Sequence, residues 1–173
     1  CEGDLSDEEL MSRADKSLHE GKLNASLIDL KTILQKNPGN AEARIMLGNI
    51  YVLLGEGQGA VKELRLAVKH DGDIATIYPL LARALLLQQK FQDVIDLELS
   101  ELPEKGKADL LTSRGLAFLS MGQKEEAREA FNESLEIEEG NTYAILGKAK
   151  LAGYEGKFKE SRLLLMQVID VDE

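Results

Sequence analysis

Only one cysteine occurs in the 173 residues, at position 1, so no disulfide can close within the chain. Tryptophan is absent, aromatic residues make up 5% and prolines number three. That shortage favours helices built on leucine and alanine and leaves few rings on which nucleic-acid bases could stack. The two histidines, His19 and His70, are far apart in sequence, so a histidine metal site or a Ser-His-Asp arrangement has little to draw on. No apolar run approaches the roughly 18 residues that a membrane-crossing helix needs. Positive charge is in the minority: 21 Lys and Arg stand against 31 Asp and Glu, a formal net charge of -10. Such a surface repels a phosphate backbone, and nucleic acid is excluded as a partner.

Apolar residues are 43% of the chain and charged residues 30%, enough to bury a core in one domain or one repeat array. Candidate chemistry is thin. Gly55-Glu56-Gly57-Gln58-Gly59 resembles a phosphate loop in its glycines, but it lacks the Gly-Lys-Ser/Thr ending and no strand precedes it; it reads as a turn between helices. Glu136, Glu138 and Glu139 read as the solvated end of an amphipathic helix, not as a metal cluster. No catalytic residue, metal or cofactor is expected.

The chain repeats itself. AEARIMLGNIYVLLGEGQGAVKELRLAVKHDG (41–72) and ADLLTSRGLAFLSMGQKEEAREAFNESLEIEE (108–139) share Gly at the eighth place, an aromatic at the eleventh, Gly at the fifteenth and Ala at the twentieth. Units start at Asp7, Ala41, Ala75, Ala108 and Thr142, spaced 34, 34, 33 and 34 residues apart. Within a unit the apolar residues recur at helical spacing, as in Ile45, Leu47, Ile50, Tyr51 and Leu54 and again in Val61, Leu64, Ala67 and Val68. Gly21, Gly55, Gly122 and Gly156 fall between the two apolar stripes of their units, where a chain leaving a helix needs a left-handed residue; the third unit has Gln89 there.

On these residues the chain resembles the tetratricopeptide repeat (TPR) family, whose period is about 34 residues. The small residue at position eight is Ala14, Gly48, Ala82, Gly115 and Ala149, and the bulky one at twenty-four is Leu30, Leu64, Phe131 and Leu165. The aromatic at eleven survives as Tyr51 and Phe118, and the proline at thirty-two as Pro38 alone. The resemblance implies an all-α fold, a right-handed α-solenoid of about five helix-turn-helix units over 7–173, with 1–6 as an amino-terminal tether. The third unit is irregular near 97–107. Glu98 and Glu101 fall on buried positions of its second helix, and an unpaired buried carboxylate is costly, so the helix starting near Phe91 is expected to break between Leu97 and Leu102. Pro103 and the polar stretch Glu104-Lys105-Gly106-Lys107 then follow.

The family holds partners in a concave groove lined by its first helices. Its groove positions correspond to Ile45, Met46, Asn49 and Leu53 in the second unit and Thr76, Leu80, Arg83 and Leu87 in the third. They continue as Asp109, Thr112, Ser113 and Leu116 in the fourth and Tyr143, Leu146, Lys150 and Tyr154 in the fifth. The resemblance implies a non-catalytic scaffold that binds a protein or peptide partner on an apolar floor. The carboxylate clamp used for chaperone tails requires Lys and Asn in one first helix, Asn in the next and Lys or Arg in the third; no three consecutive units supply that set.

LIDLKTILQKNPGNAEARIMLGNIYVLLGEGQGAVKELRLAVK, YPLLARALLLQQKFQDVID and LLTSRGLAFLSMGQKEEAREAF are similar, more narrowly, to the TPR lipoproteins of bacterial PEP-CTERM/exosortase systems. That family carries its lipid on the first cysteine of the mature chain, and Cys1-Glu2-Gly3-Asp4 has the polar character of its tether; the alternative is a boundary unrelated to lipid. The likeness implies a lipid-anchored, periplasm-facing protein of the cell envelope in export of exopolysaccharide or sorted proteins. Two other readings are carried: a tether or assembly factor that self-associates through its last repeat, like pilus-assembly TPR lipoproteins, and a soluble cytoplasmic adaptor.

Overall fold

The computed structural model describes residues 5–170, and the expected lipid attachment at Cys1 lies outside the described residues. Among the described residues the chain forms ten α-helices and no strand, in two compact units, Cys1–Gln88 and Gln89–Glu173.

The first unit contains α1 (Asp7–His19), α2 (Leu23–Lys36), α3 (Ala41–Leu53), α4 (Gly57–Lys69) and α5 (Ile74–Leu87). Polar caps start its first helices. The Ser6 side chain accepts from the Glu9 amide while Glu9 accepts from the Ser6 amide, and Asn40 and Asp73 cap α3 and α5. Inside each hairpin the chain turns through Gly21 or Gly55, at φ 71° and 75°, a conformation that glycine adopts without a Cβ clash. Each helix packs on the next, and α3 also packs on both α1 and α5, so the three first helices lie side by side. The core joins Leu10, Ala14, Leu30, Ile33, Ala43, Leu47 and Ile50. A methyl group added at Gly48 would come within 2.7 Å of Leu64, so the small residue at position eight is what lets α3 and α4 meet over that leucine. Buried Glu63 accepts from Arg44, whose guanidinium also donates to the Pro38 carbonyl, and buried Asp29 takes two hydrogen bonds from Arg13.

The second unit contains α6 (Phe91–Ile95), α7 (Glu104–Ser120), α8 (Lys124–Ile137), α9 (Thr142–Tyr154) and α10 (Phe158–Asp170). Contacts run α6 to α7, α7 to α8, α8 to α9 and α9 to α10, and α7 also packs on α9. Phe131 is fully buried, and a Cβ at Gly115 (2.5 Å away) or at Gly147 would collide with its ring. One wedge from α8 thus takes up the space that two glycines, one on α7 and one on α9, leave open. Such burial of a phenylalanine contributes about 1.5–3 kcal/mol.

Helix α6 is only five residues long and stops at Ile95, before the Leu97–Leu102 window in which the sequence reading places the break. Glu98 and Glu101 are exposed, Leu102 is buried, and an Arg114 Nη2 donates to the Leu97 carbonyl at 2.5 Å. The polar stretch Glu104-Lys105-Gly106-Lys107 is the first turn of α7, whose N-cap is Pro103, with no side-chain cap. Proline suits a helix start, because the amide it lacks would have no helical partner there. Gln89 takes the left-handed turn conformation, φ 57°, that glycine takes in the other units.

Candidate functional site

On a helix, residues spaced three and four apart share a face. In α3 the residues Ile45, Met46 and Asn49 are half-buried, Met46 against the core, and Leu53 is exposed at 53%. In α5, packed beside it, Thr76 and Arg83 are exposed, Leu80 is half-buried and Leu87 is exposed at 48%. The two helices therefore offer an apolar face edged by Asn49, Thr76 and Arg83.

In the second unit the expected residues divide. Thr112 and Ser113 are both buried at 4% and are not available to a partner. The Thr112 hydroxyl is hydrogen-bonded to the Ser134 hydroxyl at 2.8 Å, which donates to the Ala108 carbonyl at the same distance; Ser113 donates to the Asp109 carbonyl. Position five of the fourth repeat, Thr112, faces α8, where a hydroxyl pair satisfies two buried polar groups. Asp109 is half-buried and accepts from Asn141 at 3.4 Å, and Leu116 is half-buried against Leu119, Ala127, Phe131 and Leu151.

Helix α9 presents the most open face. Tyr143 (60% exposed), Leu146, Lys150 and Tyr154 (59%) are exposed at spacings of three, four and four residues. The Lys150 ammonium lies 5.8 Å from the centre of the Tyr154 ring, within cation-π range. Lys124, from the start of α8, places its Nζ 3.5 Å from the Tyr154 carbonyl. The family's groove positions miss it because they count only first helices; the signal would be the turn that brings each second helix back beside the next unit's first. Glu155, next to Tyr154, is tied to Lys157 and Arg128, and these two cations hold its carboxyl below the ordinary value of 4.5. Helix α10 is also broadly open: Phe158, Leu163, Leu165, Met166 and Ile169 are all exposed.

Among the described residues no three His, Cys, Asp or Glu side chains are grouped to hold a metal, and no helix is long and apolar enough to cross a membrane. What the geometry provides is surface: exposed apolar side chains, with a few polar ones between them, on helices locked in place by their hairpin partners. This is an α-helical repeat protein. Tetratricopeptide repeat profiles match residues 17–84 and 108–141, together more than half of the chain, and the chain belongs to the tetratricopeptide repeat family, whose members are typically non-catalytic scaffolds. Over 159 residues it is 25% identical to a Dictyostelium discoideum protein described as DnaJ homolog subfamily C member 3 homolog, covering 82% of this chain and 32% of that protein. The chain thus spans about a third of that relative. Among solved structures it is similar to pilF of Pseudomonas aeruginosa, with TM-score 0.74 and 20% identity over 95% of this chain and 75% of that one. It is also similar to YrrB, described as a TPR protein with an unusual peptide-binding site, with TM-score 0.61 and 19% identity over 94% and 84% of the two chains. At these identities the two structures establish the fold.

Proposed function

We propose that the protein is a scaffold that holds a partner peptide or helix on the exposed faces of its first helices. The observation that carries this is the large apolar side chains left open there, Leu53 and Leu87 in one compact unit and Tyr143 and Tyr154 in the other, on helices whose opposite sides are packed. The peptide-binding site named for YrrB supports the reading by analogy of fold. The narrower likeness to PEP-CTERM/exosortase lipoproteins supports, as part of the same proposal, a periplasm-facing place in export of surface polysaccharide or sorted proteins. Leu80 and Leu116 are half-buried, so the cleaner test uses the exposed pair Leu53→Glu and Leu87→Glu. Partners captured by the wild-type protein and lost by this variant, with helicity unchanged, support the reading; partners retained by both overturn it.

A second reading, self-association, has one observation in its favour. In α8 the residues Lys124, Glu129 and Asn132 occupy the repeat positions that α10 fills with Phe158, Leu163 and Met166. A further repeat seated as α9 is on α8 would cover Leu165, the counterpart of buried Phe131, but not the counterparts of exposed Lys124 and Glu129. Two copies joined through α10 would bury both sets. Sedimentation velocity decides it: a dimer converted to monomer by Leu163→Glu with Met166→Glu supports this reading, and a wild-type monomer at high concentration overturns it.

A further inference from the structure

We propose that the α9 face receives an acidic amphipathic segment, with a carboxylate of the partner on Lys150 and its apolar residues on Tyr143, Leu146 and Tyr154. The proposal deepens the scaffold reading and rests on it.

The argument is one of charge. The chain as a whole carries a formal net charge of -10, yet none of the 13 residues of α9 is Asp or Glu, while α1, α3 and α7 all contain carboxylates. Three and four residues to either side of Lys150, where a helical ion-pair partner would stand, are Leu146, Gly147, Gly153 and Tyr154. The nearest acid along the chain, Glu155, is engaged by Arg128 and Lys157, and Asp109, on the flanking helix, is bonded to Asn141. Lys150 therefore sits among apolar side chains, its ammonium over a tyrosine ring, and Lys124 adds a second ammonium beside Tyr154. From Tyr143 to Tyr154 the stripe is about 16 Å long at the helical rise, three turns of an incoming helix.

Any chain that covers this stripe takes Lys150 out of water. A purely apolar partner would leave that charge uncompensated, and a basic one would be repelled. An acidic partner replaces the lost hydration with a charge-assisted hydrogen bond at Lys150. Helix α5 also lacks Asp and Glu, and Arg83 stands at the same repeat position as Lys150.

The test uses fluorescein-labelled, amidated probe peptides of about 14 residues, long enough to form a helix on the surface. They share one Leu/Phe face and carry Glu, Gln or Lys beside it, and binding to the intact protein is read by fluorescence anisotropy. The Glu probe is expected to bind roughly threefold to fivefold tighter than the Gln probe at low salt, with the difference shrinking as salt is added. Lys150→Glu, at an exposed position, is expected to reverse the order of the Glu and Lys probes, and Tyr154→Ala to weaken all three. Equal binding of the Glu and Gln probes, or a ranking unmoved by Lys150→Glu, overturns the acidic partner and leaves the scaffold reading standing. No binding by any probe overturns the acidic partner, and the scaffold reading falls with it only if the Leu53→Glu, Leu87→Glu variant also keeps its partners.

Discussion

Helices α6 and α8 hold the same place in neighbouring repeats, yet one runs for five residues and the other for 14. Aligned by repeat, Glu98 and Glu101 correspond to Phe131 and Ser134. In α8 those two positions are fully buried, one filling the gap between two glycines and the other bonding to the Ala108 carbonyl and Thr112. A carboxylate cannot stand in either place without a partner, and the third unit abandons the helix before reaching them. Arg114 takes over part of the lost bonding by capping the Leu97 carbonyl from α7. A repeat thus survives the loss of most of a helix provided that its polar groups are satisfied from the next element.

The largest test of that contrast is Phe131→Ala against Glu98→Ala. The first should cost about 3–5 kcal/mol by urea denaturation, since the cavity lies between two helices that cannot both close on it. The second, at an exposed site, should stay within about 0.5 kcal/mol. Equal effects would show that the two helices are not distinguished by what they bury. Next is Arg114→Met, which removes the donor to the Leu97 carbonyl and should cost about 1–2 kcal/mol. Hydrogen exchange should quicken in 96–102 and stay unchanged in α8; an even loss across the second unit would refute the local role. Burial draws the Arg114 guanidinium below its ordinary value, while Glu98, Glu133 and Asp96 oppose the shift.

The smallest effect is acid sensitivity on the regular side. The Glu155 carboxyl, lowered by Lys157 and Arg128, contributes stability that is complete above its ordinary value of 4.5 and is lost as pH falls through the depressed folded value. The melting temperature should drop below about pH 4.5, and Glu155→Gln should flatten that drop. An identical acid profile for the variant would remove Glu155 from the account. In the first unit Glu9 and Asp73 are also lowered, by hydrogen bonds at the starts of α1 and α5, and Glu20 by its hydrogen bond with Lys22.

Much of the fold was readable because a repeat states its rules several times. Gly21, Gly55, Gly122 and Gly156 mark left-handed turns through chemistry local to each residue, while the structure adds Asn40, Asp73 and Asn141 as the caps that start α3, α5 and α9. The groove was less readable. A first-helix position can face solvent or the helix's own hairpin partner, and Thr112 turned inward because Ser134 offered it a hydroxyl across α8. Lys124 was missed for the opposite reason, since it reaches the site from an element that the repeat pattern assigns to packing.

By itself, then, the sequence determined the helical repeat, its period, its turns and the weakness of the third unit, since periodicity, left-handed glycines and misplaced carboxylates act within a few residues of themselves. Tertiary structure decided which side chains remain open to a partner, where α6 stops, that 104–107 is helix, and that Lys124 of α8 comes beside Tyr154 of α9. Those outcomes depend on what neighbouring helices cover and which polar atoms they can satisfy, and both are set only once the helices have packed.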